Sequence, residues 1–284
     1  MQTRRIGAHL STAGGVEKAI ERAHAIGANA LQVFSGSPRM WQRTPLDRVD
    51  AKKISSNQEK YDVKPIFTHA LYLVNLASDN PELVDKSLKA LKHDLEFDAH
   101  INGAGVVVHL GSHQGRGFEA VKFDLVKHIA TVLDQTPVNS HFLIENSAGQ
   151  NGKIASDLTE IRWLLDQVKG GERLGWCFDT CHGFGAGLSL NSQKNGALDQ
   201  LENLDLFDSL RCLHVNDSRD EFDTGRDRHA NIGEGNIPTT DLQLFLNDQR
   251  LINIPMITEA PGFDGNGPDE ENISRLKKIT SENK

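Results

Sequence analysis

Eight short apolar runs of β type recur along the chain, at residues 5–9, 30–34, 64–69, 105–109, 141–145, 174–179, 210–214 and 255–259, and segments of helical periodicity separate them. This alternation specifies parallel βαβ units, because a parallel neighbour is reached only through a crossover long enough to hold a helix. Eight repeats in 284 residues predict a closed (β/α)8 TIM barrel, a single domain over residues 1–284. An open doubly wound sheet is the alternative. It would carry a glycine-rich phosphate turn after its first strand, whereas Ser11-Thr12-Ala13-Gly14-Gly15 suits the start of a helix better.

The helices are marked by their spacing and their ends. Val16, Ala19, Ile20, Ala23 and Ile26 repeat at helical intervals, as do Leu83, Val84, Leu88, Leu91 and Leu95, and again Ile161, Leu164, Leu165 and Val168. Asn80-Pro81 predicts a capping residue followed by proline at the first helical position. Gly103 and Gly170-Gly171 mark two helix stops. The longest irregular stretch runs from 216 to 238, and a loop of that length in a compact domain usually carries function.

No apolar run approaches the roughly 18 residues of a membrane span. The N-terminal segment lacks the apolar core of a signal peptide, so the expected location is the cytoplasm. Three cysteines, Cys177, Cys181 and Cys212, argue against a disulfide framework. Residues 177, 179 and 181 would share one face of a strand, and the cysteines read as buried packing residues. The formal net charge of −8 alone speaks against a nucleic-acid partner. A cluster of divalent cations would reverse that sign locally.

The chemistry lies where the strands end. The third run finishes at His69, the fourth at His109, the fifth at Glu145 and the sixth at Asp179, with His182 just beyond. The seventh finishes at His214 and the eighth at Glu259. In a parallel barrel these ends share one face, where active sites lie. Packing alone gives no reason to gather carboxylates and histidines there, because unpaired they would repel and lose solvation. A metal cluster removes both costs. Asp227 and His229, two residues apart in the long loop, can face one way in extended chain and join His182. Imidazole with carboxylate suits zinc, with manganese or iron as alternatives.

Several long stretches carry a resemblance. They are Ile6-Gly7-Ala8-His9, His109-Leu110-Gly111-Ser112-His113, Glu145-Asn146-Ser147-Ala148-Gly149-Gln150, Phe178-Asp179-Thr180-Cys181-His182, Leu213-His214-Val215-Asn216-Asp217-Ser218, and Asp227-Arg228-His229 leading to Gly233-Glu234-Gly235. In this order they resemble the endonuclease IV family of apurinic/apyrimidinic (AP) endonucleases over nearly the whole chain. The resemblance implies three Zn2+ per chain. His69 and His109 would hold one, with Glu145 bridging to a second that Asp179, His214 and Glu259 complete. His182, Asp227 and His229 would hold the third.

The implied reaction is hydrolysis of the phosphodiester 5′ of an abasic site in double-stranded DNA by a monomer. It leaves a 3′-hydroxyl and a 5′-deoxyribose phosphate, with 3′-end cleaning as a further activity. Paired metals suit in-line attack on a phosphodiester, and Glu145 or Glu259 would steer the nucleophile. The family's DNA-penetrating positions match the loop Gly36-Ser37-Pro38-Arg39-Met40-Trp41 and Tyr72-Leu73. Arg39, Tyr72, Leu73 and Arg228 are the expected DNA contacts. Leu110, Ala70-Leu71 and the weakly polar Gly36-Ser37-Pro38 depart from the family pattern, which bears on DNA grip rather than on metal. A sugar isomerase of the same barrel superfamily is the rival reading. It would use Glu145, Asp179, His214 and Glu259 and leave the other candidate ligands surplus. A non-catalytic metal-binding barrel is the second rival.

Overall fold

The computed structural model describes residues 4–191 and 195–281. Eight parallel strands close into a barrel: β1 (Ile6–His9), β2 (Ala30–Phe34), β3 (Ile66–His69), β4 (Val106–Val108), β5 (Phe142–Glu145), β6 (Leu174–Asp179), β7 (Leu210–His214) and β10 (Met256–Thr258), with β10 returning to pair with β1. Helices follow the strands around the outside: α1 (Val16–Ala25), α2 (Ala51–Tyr61), α3 (Pro81–His100), α4 (Phe118–Asp134), α5 (Leu158–Gln167), α8 (Thr239–Leu246) and α9 (Glu270–Ser281). After β6 come the short α6 (Thr180–Gly185) and α7 (Ala197–Asn203). No helix among the described residues is long and apolar enough to cross a membrane.

The core has two parts because each strand is buried on both faces. One part packs strands against helices and includes Ile20, Leu31, Leu91, Ile129, Trp176 and Phe245. The smaller part fills the barrel interior with Ala30, Phe67, Val107, Leu143, Cys177, Cys212 and Ile257. Closure needs β1 and β2 to approach closely: a Cβ on Gly7 would lie 2.3 Å from the Ala30 carbonyl oxygen, so only glycine fits there.

Helix starts follow their expected residues. Gly15, at φ 107°, precedes α1. The Asn80 side chain accepts the N–H groups of Glu82 and Leu83, with Pro81 opening α3. The face of α3 differs from the expected apolar stripe. Leu91 and Leu95 are buried, but so are Ser87, Asp94 and Asp98, while Leu83, Val84 and Leu88 are half-buried.

Two other expectations are corrected. The sixth strand stops at Asp179, and Cys181 lies on α6, not on a shared strand face with Cys177. The stretch 216–238 is not wholly irregular, because β8 (Asp217–Ser218) and β9 (His229–Ala230) pair antiparallel within it. The buried Asp217 carboxylate ties this segment together. It accepts N–H groups from Ser218 at 2.8 Å, Gly233 and Gly235 at 3.0 Å each, and Ile237 at 3.1 Å.

Candidate metal centre

The C-terminal ends of the strands converge at one rim. His69, Glu145, Asp179 and His214 are the last residues of β3, β5, β6 and β7. His109 and Glu259 stand one residue past β4 and β10. Glu259 leaves the ladder because its N–H donates to Asn216 Oδ1 at 2.7 Å. Asp179 starts α6 by accepting the His182 N–H on Oδ1 at 2.9 Å, which turns His182 inward. The β8–β9 hairpin delivers Asp227 and His229.

Three groups of candidate donors result: His69–His109–Glu145, Glu145–Asp179–His214–Glu259, and His182–Asp227–His229, each with its ligand atoms within 4.8 Å of one another. Glu145 belongs to the first two. Its Oε2 lies 3.2 Å from Nε2 of both His69 and His109, and its Oε1 lies 3.0 Å from His214 Nδ1. In the third group, Asp227 Oδ1 is 3.0 Å from His182 Nε2 and 3.4 Å from His229 Nε2. Asp179 Oδ2 reaches toward both sides, 3.9 Å from His214 Nδ1 and 3.8 Å from His229 Nε2. All nine sequence-predicted donors are therefore brought together. Glu145, Asp179 and His214 are fully buried, whereas His109, Asp227, His229 and Glu259 are partly open to solvent.

The electrostatics point the same way. Burial alone would raise the carboxyl of Glu145, but His109 and His214 hold it well below the ordinary range. Glu259 and Asp227 are likewise held low against burial, Glu259 chiefly by His214 and Asp227 chiefly by His182. The imidazoles diverge. Burial takes His109 down to about 3, while at His214 it is outweighed by Glu259 and Glu145, which push the ring up to about 10. Buried carboxylates that lack several N–H donors stay ionised where positive charge is at hand. Divalent cations would supply that charge and leave each imidazole a free lone pair. His229 Nε2 fits such a role: it is buried and makes no hydrogen bond. The residues present therefore suit zinc.

Two groupings include cysteine, Cys177–Cys212–His214 and Asp179–Cys181–His229. Burial raises the Cys177 thiol well above its ordinary range and pushes Cys181 up to about 12, so these two remain protonated packing groups. Four further residues brace the site and escaped the sequence reading as functional. His9 and Gln32 contact Glu259 Oε1 at 2.7 and 2.9 Å. Asn146 Oδ1 accepts the Asp179 N–H at 2.6 Å, and Asn216 Nδ2 donates to Asp179 Oδ2 at 2.7 Å. Their signal was position: His9 ends the first strand, and both asparagines directly follow or nearly follow a strand-end donor.

Around the rim, Arg39 and Met40 are exposed, as are Tyr72 (58%) and Leu73 (36%). The two loops are joined by the Tyr72 N–H, which donates to the Pro38 carbonyl at 3.1 Å. Ala70 and Leu71 are buried and belong to the apolar core between strands and helices. Arg228 is turned to Asp220, donating from Nε at 2.7 Å and again from Nη2.

A family profile described as a xylose isomerase-like TIM barrel matches residues 20–279. The chain is 36% identical to a probable endonuclease 4 of Halothermothrix orenii, over 96% of this chain and 99% of the relative. Its fold superposes on the crystal structure of endonuclease IV from Thermus thermophilus with a TM-score of 0.84 and 32% identity, covering 97% of each chain. A D-tagatose 3-epimerase-like protein superposes with a TM-score of 0.69 at 17% identity, over 96% of each chain, a likeness of fold alone.

Proposed function

This chain belongs to the endonuclease IV family of DNA-repair deoxyribonucleases, and from that premise we propose that it hydrolyses the phosphodiester 5′ to abasic sites in duplex DNA with three zinc ions. The observation that carries the reading is the sharing of Glu145 between two donor groups, with a third group beside them. His69 and His109 would hold one ion with Glu145, and Asp179, His214 and Glu259 a second with the other Glu145 oxygen. His182, Asp227 and His229 would hold the third.

Zinc bound in such a cluster lowers the pKa of water to about 7 and neutralises charge on a phosphate. The protein's own groups set the geometry. Glu145 is fully buried and ionised, so it draws the first two pockets into register. Glu259 has Oε1 occupied by His9 and Gln32, which fixes the direction of Oε2, 3.4 Å from His214 Nδ1. We assign Glu145 and Glu259 as the catalytic carboxylates, with Glu259 orienting the attacking water. Arg39, Tyr72 and Leu73 stand on two joined loops above the cluster and suit the gap left by a missing base. Arg228 would meet the strand beyond the hairpin. Products would be a 3′-hydroxyl and a 5′-deoxyribose phosphate. The same site, open at its rim, would accept blocked 3′ ends, and the protein would work as a cytoplasmic monomer.

The isomerase reading uses four of the nine donors. It leaves His69, His109, His182, Asp227 and His229 without a role, and five surplus polar groups at one rim would carry a desolvation cost. The test is incubation with a duplex bearing one tetrahydrofuran abasic analogue, with and without a strong chelator. A nick on the 5′ side, abolished by chelation, is expected. No nick, with turnover of a ketose, would overturn the proposal.

A further inference from the structure

The turn after β5 holds a cation that the proposed chemistry leaves unused. Gly149, Asn151 and Gly152 take φ of 83°, 56° and 70°, so the chain reverses sharply in the left-handed region. The turn is fastened to the loop after β4. The His113 N–H donates to the Gly152 carbonyl at 3.0 Å, the Ile154 N–H to Gly111 at 2.9 Å, and Ser112 Oγ to the Asn151 carbonyl at 2.6 Å. A Cβ on Gly152 would come within 2.5 Å of the His113 ring. From this anchored turn Lys153 extends over the cluster, with Nζ 3.3 Å from Asp227 Oδ2. Among the described residues it is the one lysine or arginine ion-paired with any of the nine donors.

A half-exposed lysine–carboxylate pair contributes little stability, so the pair alone does not explain the placement. Asp227 directs Oδ1 at His182 and His229. A cation in that pocket would draw on the charge of Asp227 and weaken its hold on Lys153. The ammonium then stands at the open edge of the third pocket with donors to spare. Neighbouring arginines compete poorly for this place, since Arg226 and Arg228 both donate to Asp220. An ammonium on a flexible stem binds phosphate as a point charge. We infer that Lys153 is a substrate-binding residue that takes a backbone phosphate of the DNA strand lying across the third pocket. This rests on the phosphodiesterase reading of the same site.

The test uses zinc-loaded protein and its nicked product duplex, carrying a 3′-hydroxyl and a 5′-phosphorylated tetrahydrofuran. Affinity is followed by fluorescence anisotropy from 50 to 200 mM salt. Lys153→Gln should bind several-fold more weakly at low salt. Its slope of log K against log salt should be shallower by about 0.9, the value for one phosphate contact. Lys153→Arg should restore most of both, and zinc per chain and Tm should stay at the wild-type values in each variant. Unchanged affinity and slope in Lys153→Gln would overturn the inference, as would weaker binding that tracks loss of zinc. A wild type that nicks no abasic duplex would instead overturn the phosphodiesterase reading beneath it.

Discussion

His9 Nδ1 lies 2.7 Å from Glu259 Oε1, joining residues 250 positions apart. Gln32 contacts the same carboxylate oxygen and also lies 2.8 Å from His214 Nε2 through its own Oε1. The first two strands carry no candidate ligand, yet they supply a hydrogen-bonded shelf beneath two of them. Burial lowers the His9 pKa despite Glu259, so the ring acts as a neutral donor to that carboxylate. Outer partners of this kind usually change metal affinity or activity by about 10–100-fold. His9→Ala should therefore lower kcat on the tetrahydrofuran duplex by about that factor and weaken zinc in competition with a chromophoric chelator, with little change in far-UV circular dichroism. Wild-type kcat and zinc affinity in the variant would remove His9 from the account.

Arg43 holds the loop that bears Arg39. Its side chain is 7% exposed. It donates to Ser35 Oγ at 3.0 Å, to the fully buried Asp94 at 3.2 Å, and to the Ser37 and Met40 carbonyls at 3.1 and 3.2 Å. Removing one partner of a buried pair costs about 3–5 kcal/mol, because the other charge is stranded. Arg43→Met should lower Tm and raise KM more than it lowers kcat. Adding Asp94→Leu should recover Tm without recovering KM, since the loop stays unpinned. Full recovery of KM in the double variant would show that the loop needs no such anchor.

Asp98 should make stability depend on pH. It is fully buried on α3; Thr68 Oγ1 donates to Oδ1 at 2.9 Å, and Oδ2 has no partner. Burial pushes its pKa up to about 7 from 3.8. Between those values the folded chain keeps a proton that the unfolded chain has released, so stability falls as pH rises through this window. Each pKa unit is worth about 1.4 kcal/mol. Asp98→Asn removes the titration. Denaturant melts should show its stability improving relative to wild type between pH 5 and pH 8. Parallel pH profiles for the two proteins would mean that Asp98 keeps its ordinary pKa.

The barrel and the nine candidate donors were legible because both rest on local regularities. Apolar runs alternate with helical spacing, and His69, Glu145, Asp179 and His214 each end a run. The rest depends on partners distant in sequence. Asp94 and Asp98 share the helix face of Leu91 and Leu95, but as carboxylates they suggest exposure, and Ser35, Arg43 and Thr68, which receive them in the interior, lie far away in sequence. Lys153 reads as an ordinary turn lysine until the hairpin brings Asp227 against it. Cys181 reads as a continuation of the sixth strand because an apolar run leads into it, although aspartate is a residue type that caps helices; the bond from the His182 N–H to Asp179 shows that the helix begins there.

Anomalous diffraction at the zinc edge, from crystals of protein that nicks an abasic duplex, tests the nine-residue cluster most directly. Three peaks are predicted: one between His69 and His109, one among Asp179, His214 and Glu259, and one among His182, Asp227 and His229, with Glu145 reaching the first two. A single peak among Glu145, Asp179, His214 and Glu259, or none at this rim, would contradict it.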